Sequence, residues 1–135
     1  MKNAATISRS AATRFTRTAS LLDDRIQVVR VGTHLDTTNA KRFARSMARL
    51  ADRPSALCII DMSDIDVVDS SGFGSLISAV RKIEEAGGAA AVVCTNPTIR
   101  RLFEVAGVTR VVPVVSRLAD AQTILTTFDR DALAS

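Results

Sequence analysis

The sequence contains no tryptophan, no tyrosine and a single histidine, so its core has to be built from Val, Ile, Leu, Ala and five phenylalanines. No apolar run approaches the roughly 18 residues of a bilayer-spanning helix, so membrane insertion is not expected. Cysteine is scarce. Cys58 and Cys94 each lie inside an apolar run, far from any C-x-x-C spacing, and His34 is the only imidazole that could join them. Two buried free thiols in a reducing, cytoplasmic compartment are expected, and no zinc site. There is no P-loop, no G-x-S-x-G elbow and no dinucleotide fingerprint, and Gly72-Phe73-Gly74 is too short to cradle a phosphate. Asp61, Asp64, Asp66 and Asp69 form an acidic cluster without the central glycine and final glutamate of an EF-hand. They read as solvated loop carboxylates, with no metal and no cofactor implied.

What is present fits one domain: 135 residues, 47% hydrophobic and 24% charged. The formal charge of +4 invites a nucleic-acid reading, but its distribution opposes one. Four of the eighteen basic residues (Lys2, Arg9, Arg14 and Arg17) fall in residues 1–22, which contain no acid, leaving fourteen against fourteen in 23–135. A neutral body with a basic tail is a poor phosphate-backbone binder, so no direct nucleic-acid partner is expected. The Ala-, Ser-, Thr- and Arg-rich start has transit-peptide composition without a secretory apolar segment. A flexible tail is the preferred reading. The expected organisation is a tail over 1–12, a domain over 13–130 and a short tail over 131–135.

Alternating chemistry marks the elements. Thr13–Thr18 reads as a short edge strand, Leu21–Asp24 as a turn, and Arg25–Val31 as a β-branched strand stopped by Gly32. Asp36-Thr37-Thr38-Asn39 supplies several N-caps for an amphipathic helix on Ala40, Phe43, Ala44, Met47 and Ala51, ended before Pro54. Ala56–Asp61 and Ala89–Cys94 are continuous apolar runs, the pattern of strands covered on both faces. Between them Ser71–Ala86 has helical spacing, closed by Gly87-Gly88. A helix follows on Pro97, ended by Gly107. Then come an edge strand over Val111–Val115, interrupted by Pro113, and a last helix capped by Ser116 and running to about Phe128. Such an order predicts an α/β layer with right-handed crossovers. An initial hairpin would make its sheet mixed and leave the helices mainly on one face.

The strongest local feature is Val67-Val68-Asp69-Ser70-Ser71-Gly72-Phe73-Gly74, where a strand hands over to a helix whose first N–H groups need partners. One serine can cap those donors while its neighbour stays exposed. Taken alone, the motif is a helix cap. Longer-range residues extend it: Leu35-Asp36, then Ile60-Asp61-Met62-Ser63, Ala86-Gly87-Gly88, and Asn96 through Val108 with its Arg101-Leu102-Phe103 core. Together these resemble the bacterial STAS-domain anti-sigma factor antagonists over roughly residues 25–128, with every element in order.

The resemblance implies a STAS-like single domain with a mixed central sheet and about four helices packed mainly on one face. It implies a non-enzymatic switch that acts by partner switching. The partner would be an anti-sigma factor that is also a serine kinase of histidine-kinase-like ATPase type. That kinase phosphorylates Ser70, and a PP2C-type phosphatase reverses it; only the unphosphorylated antagonist binds the anti-sigma factor and frees the sigma factor. The implied partner-binding surface comprises Asp36, Asp64, Asp66, Asp69, Ser70, Ser71, Gly72 and Phe73, with Asp64 and Asp66 as an acidic rim. Family members commonly carry glycine-glutamate-leucine-aspartate before the first helix, whereas this chain has Gly32-Thr33-His34-Leu35-Asp36. The alternatives are a STAS subunit of a lipid-transport ABC complex, a stress-signalling scaffold, or a small enzyme or nucleotide binder. The last lacks a convergent catalytic set.

Overall fold

The computed structural model describes the backbone of residues 16–19 and 25–134 and the side chains of 25–129. The expected tail over 1–12 and the turn at Leu21–Asp24 lie outside the described residues. The main sheet has five strands in the order β1 (Thr16–Ala19), β2 (Ile26–Arg30), β4 (Leu57–Asp61), β6 (Ala89–Val93), β7 (Val114–Val115). β1 is antiparallel to β2, with Thr16 opposite Arg30, and every other neighbouring pair is parallel. The sheet is therefore mixed, as an initial hairpin requires. A second, two-stranded sheet pairs β3 (His34–Leu35) with β5 (Val67–Val68) in parallel.

Side-chain alternation assigns the two faces of the central strands. Cys58, Ile60, Ala90 and Val92 point to one layer, while Leu57, Ile59, Ala91 and Val93 point to the other. The first layer is covered by α1 (Ala40–Ala51) through Phe43, Met47 and Leu50, and by α2 (Ser70–Glu85) through Leu76, Val80 and Ile83. α3 (Pro97–Val105) completes it with Ile99 and Phe103. α4 (Leu118–Ala134) covers the second layer with Ala121 and Leu125. Three helices thus share one face, and the last takes the other. Burial on both faces explains why β4 and β6 read as unbroken apolar runs, each buried Ile or Val stabilising by about 1.5–3 kcal/mol.

The last strand and the last helix differ from their sequence expectation. Only Val114–Val115 of the expected Val111–Val115 strand pairs with β6. The chain before it turns through a short 3-10 helix, Val108–Arg110, that sends Val112 into the core. Pro113 has no N–H for the ladder but its carbonyl accepts the Val92 N–H at 2.9 Å. α4 continues to Ala134, past Phe128, into Ala132, Leu133 and Ala134, which are good helix formers. The end of α2 follows expectation. Gly87 has φ +85°, its N–H donates to Glu84 and that of Gly88 to Ile83, both at 2.9 Å, which forms a Schellman closure.

Both cysteines are free and buried. Burial pushes the Cys58 thiol up to about 12 and raises that of Cys94. Among the described residues no helix is long and apolar enough to cross a membrane.

Candidate functional site

The site lies at the end of the sheet where β2 and β4 finish and where α1 and α2 begin. The loop after β4 is pulled toward β3: Asp66 N–H donates to the Thr33 carbonyl at 2.7 Å, and β5 then pairs with β3. The two-residue β3–β5 ladder therefore joins the chain entering α1 to the chain entering α2. Gly72 makes the junction possible. A Cβ at that position would stand 2.0 Å from the Leu35 carbonyl oxygen, so no larger residue fits between α2 and β3.

Asp69, rather than either serine, caps α2. Its backbone is extended, its Oδ1 accepts the Gly72 N–H at 2.9 Å, and its carbonyl accepts the Phe73 N–H at 2.9 Å. The second carboxylate oxygen reaches across to the α1 loop. Asp69 Oδ2 accepts the Thr37 N–H at 3.1 Å and the Thr37 hydroxyl at 3.0 Å. These donors, the Gly72 N–H foremost and Thr37 after it, hold the Asp69 carboxyl below its ordinary value. A carboxylate satisfies this geometry better than a hydroxyl because it accepts on two oxygens at once.

The serines are thereby left outside the cap. Ser70 is the first residue of α2, exposed, and its hydroxyl makes no hydrogen bond among the described residues. Ser71 is exposed as well, with its Oγ 3.4 Å from the Thr37 Oγ1. On the facing loop, Asp36 Oδ1 accepts from the Thr38 N–H and hydroxyl, and the hydroxyl is the leading reason its carboxyl is lowered. Asn39, expected as one of several caps, is buried at 5% exposure and does not cap α1 with its side chain. It bridges backward, accepting the Asp36 N–H and donating to the His34 carbonyl, both at 2.9 Å.

The structure thus brings Asp69 and Ser71 to Thr37, the chain neighbour of Asp36, while Ser70 and Gly72 flank Ser71 in the first turn of α2. Asp64 is exposed and paired with Arg30 at 3.3 Å, an arginine that also approaches Asp61 at 3.7 Å. Asp66 is exposed on the same loop. Phe73 is half-buried, its ring edge-on to Phe103 with centroids 5.5 Å apart, so it ties α2 to α3. Asn96 caps α3 through the N–H groups of Thr98 and Ile99, and its amide also donates to the Ile65 carbonyl at 3.3 Å. Sequence reasoning missed Thr37 and Thr33, whose partners lie more than thirty positions away and leave no local spacing signature. Among the described residues, no three metal-ligating side chains converge.

A family model described as the STAS domain matches residues 21–121. The chain belongs to the STAS domain family. A relative from Paenibacillus polymyxa, the anti-sigma F factor antagonist, is 26% identical over 102 residues, covering 74% of this chain and 86% of the relative. The crystal structure of an anti-sigma factor antagonist from Mycobacterium paratuberculosis superposes with a TM-score of 0.68 at 26% identity, covering 84% of this chain and 96% of that one. The Bacillus cell fate determinant SpoIIAA, solved in its phosphorylated form, shares the fold: the TM-score is 0.59 at 17% identity, over 81% of this chain and 99% of that one. As a STAS domain, the chain presents the Ser70 junction at the start of α2 within the segment that the family model matches.

Proposed function

We propose that this STAS domain is an anti-sigma factor antagonist that works by partner switching, with Ser70 as its phosphoacceptor. In the unphosphorylated state the Ser70 end binds an anti-sigma factor that is also a serine kinase of histidine-kinase-like ATPase type, and the sigma factor is released. Phosphorylation of Ser70 blocks that contact, and a PP2C-type phosphatase restores it. Asp36, Asp64, Asp66, Asp69, Ser70, Ser71, Gly72 and Phe73 belong to or support the contact surface. The protein itself performs no catalysis and acts in the cytoplasm.

The observation that carries this reading is the free, exposed Ser70 hydroxyl beside an already completed cap. Phosphorylation adds about −1.5 to −2 charge at pH 7. A helix N-terminus ordinarily welcomes such an anion. Here Asp69 already takes the Gly72 N–H on its side chain and the Phe73 N–H on its carbonyl, and its own negative charge opposes a second anion. The phosphate is therefore directed outward, onto the docking face, where its desolvation and charge weaken the complex without refolding the domain. The names of the relatives support the same role.

The test is the affinity of a Ser70 series for the purified anti-sigma factor. Ser70→Ala is expected to bind like the unphosphorylated protein and to accept no phosphate, while Ser70→Asp binds about tenfold or more weakly, as buried like charges at an interface do. Equal affinity across the series would remove the switch and leave a STAS subunit that binds a partner constitutively.

A further inference from the structure

α1 breaks two local rules. It carries Lys41, Arg42, Arg45 and Arg49 and no acidic residue, so like charges stand at i,i+4 where opposite ones would stabilise the helix. Lys41 and Arg42 also lie in its first turn, where the helix dipole disfavours cations. By contrast, α2 sets Arg81 and Lys82 beside Glu84 and Glu85, and α3 sets Arg100 and Arg101 beside Glu104. Lys41, Arg45 and Arg49 are exposed and four residues apart, a row that advances about 6 Å per step. Exposed Arg53 follows in the turn beyond the helix. None of these four side chains makes an ion pair or hydrogen bond among the described residues.

The sheet end beside α1 carries the opposite sign. Outside α1, residues 23–135 hold ten basic and fourteen acidic residues. Asp36, Asp61, Asp64, Asp66 and Asp69 collect at the sheet end where α1 starts. The row begins directly at that end, since the Ala40 N–H donates to the Asp36 carbonyl at 2.8 Å. A basic row thus extends away from an acidic mouth.

We infer that Lys41, Arg45, Arg49 and Arg53 form a docking row for an acidic surface of the protein that engages the Ser70 end. This rests on the partner-switching reading and adds to it a second contact that sets the direction in which the partner lies. A protein can present opposite signs to the row and to the mouth. Duplex DNA and an anionic membrane cannot, because the acidic mouth repels both. The apolar residues Phe43, Met47 and Leu50 all point inward, which leaves no apolar face for insertion into lipid.

Arg45→Glu tests this because it converts two like-charge pairs, with Lys41 and with Arg49, into opposite-charge pairs. Its melting temperature is expected to hold or to rise by a few degrees. Its association with a purified anti-sigma factor kinase is expected to slow about tenfold, and the difference from wild type to vanish in about 1 M NaCl, where the Debye length is about 3 Å. Arg45→Gln should show the same loss at smaller size, and Arg45→Lys should bind as wild type. Wild-type binding with no change in Arg45→Glu at any salt concentration would overturn the row and leave the switch standing. Failure of the wild type to bind the kinase would overturn the switch and the row together. Wild-type binding to phosphatidylglycerol vesicles or duplex DNA that Arg45→Glu abolishes would reassign the row and also overturn the proposal.

Discussion

Asp69 and Thr37 are joined twice, the carboxylate accepting both the main-chain N–H and the hydroxyl of a residue 32 positions earlier in the chain. The same carboxylate caps α2 through Gly72, so one side chain sets the start of the second helix and the loop before the first. Asp69→Ala should therefore loosen both. The expected outcome is a melting temperature lower by several degrees and faster amide exchange at Thr37 and Gly72. Thr37→Val removes the hydroxyl bond but keeps the main-chain N–H bond, so exchange at position 37 should quicken less than in Asp69→Ala and the Gly72 amide should stay protected. Equal protection of both amides in the wild type and the Asp69→Ala variant would show that the tie does not hold the loop.

A pH dependence follows from the same groups. The carboxyls of Asp69 and Asp36 are both held below their ordinary value by donors present only in the folded chain. The unfolded state therefore takes up protons first, and the stabilisation is fully present above the ordinary carboxylate pKa. It is lost as pH falls through the depressed folded values. Melts between about pH 7 and pH 2 should show stability falling with acid, and Asp69→Asn should flatten the fall. An unaltered slope in that variant would place the acid sensitivity elsewhere.

Gly72→Ala should be costly although alanine favours helices. The added carbon would meet the Leu35 carbonyl oxygen at 2.0 Å, and that atom belongs to backbone. Either α2 or the β3–β5 ladder has to move, at about 3 kcal/mol in urea unfolding. Gly74→Ala is the control, since nothing stands within 4 Å of a Cβ there.

Thiol reactivity should report folding rather than redox state. With Cys58 and Cys94 buried and Cys58 pushed up to about 12, neither presents a thiolate at neutral pH. Native protein should react with a thiol reagent only at its opening rate, and both sites should react at once in denaturant. Immediate modification of either cysteine in the native protein would contradict the buried placement.

Much of this was legible beforehand because burial on two faces leaves plain marks. β4 and β6 appear as apolar runs, and α1, α2 and α3 by their 3.6-residue period. The β3–β5 pair was not legible. Strands of two residues carry no period, and His34–Leu35 finds Val67–Val68 only after folding. Asp69 and the two serines are all good cap residues, so composition could not choose among them. Distance and the two-oxygen geometry of the carboxylate make that choice. The lack of partners for the basic row on α1, and its start beside the acidic mouth, are tertiary facts that spacing does not carry.

The phosphoswitch at Ser70 is tested by incubating the protein with an anti-sigma factor kinase and ATP, locating the phosphate by mass spectrometry, and measuring binding of the separated forms. Phosphate is expected on Ser70 and none on the Ser70→Ala variant, and the modified form should lose kinase binding. Phosphate on Ser71, or undiminished binding by protein phosphorylated at Ser70, would contradict the switch.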